Sequence, residues 1–151
     1  MILTTNNSSE TESIAEAIGR QLHGGEVIEL NSDLGGGKTT FVRGLARGFG
    51  SKDRVSSPTF TISKVYKKGK QEMHHFDFYR LQESGLMGYE LEDVLDDTDN
   101  IVVVEWSGIV EKVLPLERLK VELSVTEETS RKLVLSYPEK LAYLVKNTQS
   151  L

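Results

Sequence analysis

The chain has 151 residues, of which 38% are hydrophobic and 27% are charged, and its formal net charge is −5. This length allows a buried core, and we predict a single domain over residues 1–151. The absence of cysteine excludes disulfides and thiolate metal sites. No apolar run reaches the roughly 18–20 residues of a membrane span, and MILTTNNSSE lacks the basic and apolar parts of a secretion signal. We therefore expect a cytoplasmic protein without membrane contact.

The charges are distributed unevenly along the chain. Residues 38–70 contain nine of the 18 basic residues, and Asp53 is the one acid in that segment, whereas residues 90–99 contain six acids and no base. A basic segment suits an anionic ligand, and the acidic remainder argues against broad nucleic-acid binding. The pattern fits equally well two solvated faces of opposite charge.

The first predicted elements are a helix, a strand and a second helix. Ser9 and Glu12 fit a capping box, so a helix is expected to begin at Ser9 and to end at Gly24-Gly25. A strand over 26–30, EVIEL, runs into a glycine-rich loop. The segment 38–50 that follows, KTTFVRGLARGFG, has apolar residues at helical spacing, which predicts a second helix.

A hairpin and a short helix are predicted next. The segments 59–66, TFTISKVY, and 71–79, QEMHHFDFY, are expected to be strands joined by the turn KKGK. The segment 83–95, ESGLMGYELEDVL, is expected to be helical despite its glycines.

The remaining segments complete an alternating α/β pattern. Residues 101–106, IVVVEW, have the β-branched run of a strand that is buried on both faces. The alternating segments 119–125 and 131–137 are predicted to pair, and 138–147 is predicted to close the chain as a helix with Pro138 in its first turn. The order of elements, without a repeat or linker, predicts one α/β domain.

The glycine-rich loop, LNSDLGGGKTTF, has the composition of a phosphate-binding loop. Backbone amides from Leu34 to Thr39 are expected to surround a phosphate at the positive end of the following helix. Lys38 is expected to reach the β- and γ-phosphates, and the Thr39 hydroxyl to bind Mg²⁺. Ser32 stands where the usual pattern has glycine, and a left-handed backbone there would cost about 1–2 kcal/mol. We expect the site to tolerate this serine.

Two carboxylates stand at the ends of predicted strands. Glu105 ends the more apolar strand, which favours it as the partner of Mg²⁺, directly or through water. Asp77 ends the other strand and is the better candidate for positioning the attacking water. The alternatives are a helix cap for Asp77 and an ion pair at the rim for Glu105.

Three further features have both a functional and a structural interpretation. Thr59, in the basic loop SSPT, is a candidate sensor of the γ-phosphate, or part of a simple proline turn. Trp106 is a candidate for stacking on a base or a partner, or for ordinary packing. His74 and His75 point to opposite faces of a strand, so they cannot share one metal ion, and we interpret both as structural.

Five segments together resemble the bacterial TsaE (YjeE) family, the small ATPase required to make threonylcarbamoyladenosine in tRNA. They occur in the family's order and spacing: DLGGGKTTFVRGL, SSPTFTI, HFDFYRL, GYELEDVL and VVVEWSG. The resemblance implies an α/β, P-loop NTPase-like fold of three layers, with a mixed, largely parallel central sheet flanked by helices. The family's loop usually has the sequence G-D-L-G-A-G-K-T, from which Ser32 and Gly36 depart. We expect the glycine at 36 to have a mild effect, since it adds backbone freedom.

The resemblance also implies cofactors, partners and roles. ATP and Mg²⁺ are the expected cofactors, Asp77 is needed for hydrolysis, Glu105 is the second metal-associated residue and Trp106 lies near the nucleotide. The family's ATPase acts on a complex of TsaD and TsaB and reaches tRNA only through that complex, so activity alone is expected to be weak. The predicted catalytic residues are Lys38, Asp77 and Glu105, and the predicted metal ligands are Thr39 and Glu105. The predicted nucleotide-binding residues are Leu34, Gly35, Gly36, Gly37, Lys38, Thr39, Thr40, Thr59 and Trp106.

Other classes of protein share a phosphate-binding loop. A small-molecule kinase would need a second substrate pocket and an arginine-bearing lid, and no insertion of that length follows the loop. A GTPase would need an Asn-Lys-x-Asp motif for its base, which the sequence lacks. A scaffold that nucleotide only locks in one conformation is a third alternative. Kinase and scaffold both remain open at the level of the sequence.

Overall fold

The computed structural model describes residues 1–150, which form a seven-stranded sheet with helices on both faces. Three α-helices accompany the sheet: α1 (Ser8–Gly19), α2 (Lys38–Phe49) and α3 (Gly85–Asp96). The 3₁₀ helices span Ser107–Val110, Glu139–Val145 and Thr148–Ser150. The strands are β1 (Ile2–Thr5), β2 (Val27–Asn31), β3 (Ser63–Lys68), β4 (Gln71–Asp77), β5 (Ile101–Glu105), β6 (Leu119–Val125) and β7 (Arg131–Ser136).

The strand order is β1-β7-β6-β2-β5-β4-β3. The four neighbours β4, β5, β2 and β6 are parallel, whereas β3 pairs antiparallel with β4, and β7 pairs antiparallel with both β6 and β1. Five of the seven strands therefore run in one direction. The predicted mixed, largely parallel sheet is confirmed.

Two hydrophobic cores separate the sheet from its helices. On one face, α1 and α2 pack together over Ile101 and Val103 of β5. On the other face, Leu91 of α3 packs with Val102 and Val104. Alternate residues of β5 thus enter different cores, as predicted for a strand buried on both faces, and the result is a three-layer α/β fold. Within residues 1–150, no helix has both the length and the apolar composition to cross a membrane.

The predicted bounds of α1 were wrong at both ends, because the helix begins about half a turn earlier than predicted and ends at Gly19 rather than at Gly24-Gly25. Asn7 is the N-cap, and its side-chain oxygen accepts a hydrogen bond from the Glu10 amide at 2.9 Å. The Glu10 carboxylate in turn accepts one from the Asn6 amide at 2.8 Å. Asparagine caps as well as serine, and the strand that ends at Thr5 brings the chain into the helix earlier. Glu12 is left free to pair with arginines of α2.

Three other elements differ from expectation. The sequence did not predict β1, which is a four-residue edge strand that depends on pairing with β7. The strand predicted from Thr59 begins at Ser63, because the preceding residues turn back and the Ile62 amide donates to Pro58 O at 2.5 Å. The closing helix is a 3₁₀ helix over Glu139–Val145 rather than an α-helix.

Candidate functional site

The parallel strands bring the predicted site residues together at one edge of the sheet. Asp77 ends β4, Glu105 ends β5, and the two residues are paired in register. β2, next to β5, ends at Asn31 and continues into the glycine-rich loop. A cavity of about 250 Å³ lies between the loop and the two carboxylates. It is lined by Leu34, Gly35, Gly37, Lys38, Thr39, Thr40, Ser57, Thr59, Asp77, Glu105 and Trp106.

The loop directs the start of α2 at this cavity. α2 begins at Lys38, and its N-cap, Gly37, has a φ of 109°, a left-handed conformation that favours glycine. The first amides of a helix have no partner within the helix, so the loop presents donors at the positive end of the helix dipole. Anions bind readily at such a terminus.

Lys38 is held inside the loop. Its ammonium group donates to Ser32 Oγ at 2.8 Å and to the carbonyls of Ser32 and Asp33, each at 3.2 Å. The same nitrogen lies 5.1 Å from the centre of the Trp106 ring. Only 7% of Lys38 is exposed, so the charge is positioned before any ligand enters.

Ser32 does not carry the backbone strain that its sequence position suggested. Within residues 1–150, Ile62 and Trp106 are the non-glycine residues with positive φ, and Ser32 is not among them. Its hydroxyl accepts from Lys38 and donates to Asp33 O at 2.8 Å. The serine is therefore part of the loop's hydrogen bonding.

Gly36 is the one predicted loop residue that does not line the cavity, and it packs against Ser32. A Cβ atom at position 36 would lie 2.5 Å from Ser32 Oγ and 2.7 Å from Ser32 Cβ. Both distances are too short for non-bonded atoms, and rotating the serine would relieve only the first. The two departures from the family's loop are therefore linked by a packing contact, in addition to the backbone freedom that glycine at 36 was expected to add.

This contact predicts non-additive effects on ATP affinity. Gly36→Ala should weaken ATP binding by about tenfold, or ~1.4 kcal/mol, because the new methyl group displaces Ser32 and the loop around it. Ser32→Gly should change affinity by no more than about threefold, since two carbonyls still hold Lys38. The double variant should lie within about threefold of wild type, which gives a coupling energy of about 1 kcal/mol. Calorimetric titration of the four proteins measures that coupling, and additive losses would contradict the packing argument.

Asp77 is fixed through both of its carboxylate oxygens. Thr59 Oγ1 donates to Oδ2 at 2.6 Å, and the Tyr79 amide donates to Oδ1 at 2.9 Å. The Thr59 hydroxyl also lies 2.8 Å from Ser57 Oγ. Asp77 caps no helix, because α3 begins only at Gly85. The hydroxyl of Thr59, the candidate γ-phosphate sensor, thus donates a hydrogen bond directly to the candidate catalytic carboxylate of Asp77.

Glu105 is buried rather than paired at the rim. Its Oε1 lies 2.8 Å from Nε2 of His75, whose side chain is completely buried. His74 lies on the opposite face of β4, where it stacks on Phe76 and contacts Glu72, so the prediction of opposite faces is confirmed. The sequence analysis missed the contact of His75 with Glu105. The available signal was the spacing of His75 and Asp77, which alternation places on one face of the strand.

Trp106 completes the cavity in an unusual conformation. Its φ is 55°, a left-handed value that is uncommon for a bulky residue and that concentrates at ligand sites. Its ring centre lies 4.9 Å from that of Tyr79. The turn directs the indole at the cavity instead of continuing the strand.

A second cavity adjoins the first and was not predicted. It has a volume of about 260 Å³ and shares Gly37 and Thr40 with the first. Arg131 of β7 lines it and donates to Gly36 O at 3.1 Å. No motif marks this cavity in the sequence, because its walls come from distant parts of the chain. Its other lining residues are Asn7, Ser8, Thr11, Glu128 and Thr129.

A buried ion cluster supports the strand that leads into the loop. Glu29 of β2 accepts hydrogen bonds from Arg118 at 2.6 Å, Ser107 at 2.8 Å and Asn31 at 3.1 Å. Burial alone would raise the pKa of Glu29, but these hydrogen bonds outweigh it and lower the pKa from 4.5 to about 2. The cluster ties β2 to the segment after Trp106.

The oxygen atoms at the cavity fit Mg²⁺ bound together with phosphates. Thr39, Asp77 and Glu105 provide hard oxygen donors at the cavity wall. Residues 1–150 contain no cluster of three or more His, Cys, Asp or Glu residues that could hold a metal by itself. Mg²⁺ typically uses one or two carboxylates together with the phosphates of its nucleotide, so this donor set fits that ion.

Comparisons with known proteins identify the family of the chain. The family model described as "Threonylcarbamoyl adenosine biosynthesis protein TsaE" matches residues 5–133. The chain is 37% identical over 136 residues to the Bacillus subtilis "tRNA threonylcarbamoyladenosine biosynthesis protein TsaE", a match that covers 87% of this chain and 82% of the relative. It is 32% identical to the protein of the same name from Treponema pallidum, with 90% of this chain and 100% of the relative covered.

A solved structure is also similar. The crystal structure of Bacillus subtilis YdiB superposes with a TM-score of 0.75 and 30% sequence identity, over 99% of this chain and 94% of that one. The residues matched by the family model include the loop, both strand-end carboxylates and Trp106. The chain belongs to the TsaE family of tRNA threonylcarbamoyladenosine biosynthesis.

Proposed function

We propose that this chain binds Mg-ATP in the cavity beside α2 and hydrolyses it during threonylcarbamoyladenosine modification of tRNA. One observation carries the proposal. Three segments that lie far apart in sequence line one cavity at a helix N-terminus, and they contribute Lys38 and Thr39, Asp77, and Glu105 and Trp106. Exposed amides and a lysine suit phosphates, and adjacent carboxylates suit the metal that phosphates carry.

The residues of the cavity divide the chemistry among them. Lys38 donates to phosphate oxygens and stabilises the charge that develops on them. Thr39 and Glu105 would hold the metal, which would supply positive charge that neutralises the phosphates. Asp77 orients the attacking water from its buried position at the end of β4. To do so it exchanges the Thr59 hydroxyl for that water, which frees Thr59 to donate to the γ-phosphate.

The second cavity is the proposed place for the nucleoside. It shares Gly37 and Thr40 with the phosphate cavity, so one ligand can extend across both. Arg131 offers a guanidinium plane on which an aromatic base can stack, while Asn7 and Thr11 offer hydrogen-bonding groups. A nucleoside in this cavity lies on the α1 side of the loop.

The proposed partners are TsaD and TsaB, and tRNA is reached only through them. The family membership gives the pathway, and the state of Asp77 supports dependence on a partner. In the structure the Asp77 carboxylate already accepts from Thr59 and Tyr79, so productive hydrolysis requires the loop around Thr59 to move. A partner that holds this loop in the productive arrangement would accelerate turnover.

Alanine substitutions of the two carboxylates should cause different defects. Asp77→Ala is expected to bind Mg-ATP within about threefold of wild type but to hydrolyse it at least about a hundredfold more slowly, because water orientation acts at the transition state. Glu105→Ala is expected to weaken ATP binding when Mg²⁺ is present. Calorimetry together with single-turnover phosphate release separates the two defects. Normal hydrolysis by Asp77→Ala would exclude its catalytic role.

Phosphate release with and without partners tests the function itself. We expect slow release by the chain alone and an increase of at least about tenfold with the TsaD–TsaB pair, since a partner-ordered loop removes a conformational barrier of about 1.4 kcal/mol or more. ATP consumption that requires a small-molecule acceptor would indicate a kinase. Tight ATP binding without phosphate release, even with both partners, would indicate a scaffold locked by nucleotide.

A further inference from the structure

A buried hydrogen bond lies directly beneath the proposed metal site. The side chain of His75 is 0% exposed and that of Glu105 is 4% exposed, and 2.8 Å separates His75 Nε2 from Glu105 Oε1. Asp77 is the register partner of Glu105, and His75 precedes Asp77 by two positions on the same sheet face. The histidine thus holds one carboxylate oxygen from the core side, while Glu105 itself lines the cavity.

His75 is the only group among residues 1–150 that hydrogen-bonds the Glu105 carboxylate. A glutamate side chain has three rotatable bonds, so packing alone leaves the carboxylate orientation less well defined than a hydrogen bond to one of its oxygens does. A metal ligand must be held close to its productive geometry, and a second residue that bonds the ligand commonly does this. The burial of both groups strengthens their hydrogen bond, because little water competes for it.

The other edge of the imidazole lies beside a tyrosine hydroxyl. Nδ1 of His75 lies 3.5 Å from the Tyr66 hydroxyl, which donates to Ser56 O at 3.0 Å. Ser56 directly precedes Ser57, which lines the cavity and contacts Thr59. A continuous line of contacts therefore runs from the loop of the proposed γ-phosphate sensor to Glu105.

We propose that His75 is a positioning residue that orients the Glu105 carboxylate toward the nucleotide-bound Mg²⁺. The proposal rests on the function proposed above and adds to it the residue that prepares the metal ligand. His75 itself touches neither metal nor nucleotide. Its loss should therefore raise the Mg²⁺ concentration that tight ATP binding requires, while binding that does not involve the metal stays the same.

Two substitutions of His75 and one of its neighbour form the test. His75→Leu removes the hydrogen bond and retains much of the volume, whereas His75→Gln retains an N–H donor that can reach Glu105. His74→Gln, on the other face of the strand, is the matched control. Trp106 emission, calibrated by calorimetry, reports ATP binding across a Mg²⁺ series and in EDTA, and thermal unfolding of each free protein shows whether it is folded.

His75→Leu is expected to raise the half-saturating Mg²⁺ concentration by about tenfold and to leave ATP affinity in EDTA within about twofold of wild type. His75→Gln should have a half-saturating Mg²⁺ concentration close to that of wild type, and His74→Gln should match wild type. If His75→Leu does not fold, Tyr66→Phe decides instead, because it removes only the hydroxyl beside the imidazole. It should raise the Mg²⁺ requirement by about threefold.

Three results would overturn the inference. The first is a folded His75→Leu protein with the Mg²⁺ dependence of wild type, and the second is an equal loss in EDTA and in Mg²⁺, which would mean that His75 only supports the fold. If the leucine variant does not fold, a Tyr66→Phe protein with unchanged Mg²⁺ dependence is the third. Wild-type protein that binds no ATP would instead refute the proposed function, and with it this inference.

Discussion

Lys38→Ala and Thr39→Ala should each weaken Mg-ATP binding by at least about a hundredfold, or ~2.7 kcal/mol. Lys38 is 7% exposed and its ammonium group is already fixed by three oxygen atoms of the loop. Lys38→Ala deletes the positive charge at the proposed phosphate site and keeps the backbone amide of residue 38. Thr39→Ala deletes the hydroxyl that we propose as a metal ligand at the first turn of α2.

Calorimetric titration with ATP and Mg²⁺ measures both losses, and near-identical unfolding temperatures would show that the fold is intact. Lys52→Ala removes a positive charge from the same basic segment at an exposed position outside both cavities, and it should bind ATP as wild type does. Equal affinities for all four proteins would contradict the assignment of the loop as the phosphate site.

Arg118→Ala should lower the free energy of unfolding by about 3–5 kcal/mol. Arg118 is 3% exposed and donates to the buried carboxylate of Glu29 at 2.6 Å. The substitution leaves that carboxylate in the protein interior with only Ser107, Asn31 and the half-exposed Lys120 nearby. Urea unfolding at neutral pH gives the change directly.

Arg47→Ala is the matched control, because Arg47 also pairs with carboxylates but is half exposed. It should lower the free energy of unfolding by less than about 1 kcal/mol.

The pH dependence of the free energy of unfolding is a second test of this ion pair. Because the pKa of Glu29 is lowered to about 2 in the folded protein, wild type keeps the stabilisation above pH ~4.5 and loses it as pH falls toward 2. Arg118→Ala should lose less stability over that range, and a parallel loss would show that the ion pair does not set this pKa.

Local patterns were sufficient to predict six of the seven strands and to place the candidate site residues at strand ends, whereas the largely parallel arrangement of the sheet was implied by the family resemblance. The apolar run before Glu105 marks a buried central strand, and parallel strands end at the same edge of a sheet, so Asp77 and Glu105 had to lie near the glycine-rich loop. The glycine-rich loop directly follows the apolar segment of β2 and directly precedes the helical pattern of α2, so its position in the fold could be predicted.

Features that depend on contacts between distant residues were not predictable in the same way. The clash that links Ser32 to Gly36 requires the folded loop, and the bond from His75 to Glu105 requires the pairing of β4 with β5. The second cavity depends on Arg131, which reaches the loop only after β7 folds back along β6. In each case the residue types were visible, but the partners were not.

A fluorescence titration of wild type with ATP tests the central claim most directly. Trp106 is the only tryptophan in the chain, and its ring lies 5.1 Å from the Lys38 ammonium group, so its emission reports on the cavity alone. Mg-ATP is predicted to cause a saturable change in emission at micromolar concentrations, or about −8 kcal/mol of binding free energy, with weaker binding when EDTA removes the metal. No change in emission and no heat of binding at millimolar ATP would contradict the assignment of this cavity as the Mg-ATP site.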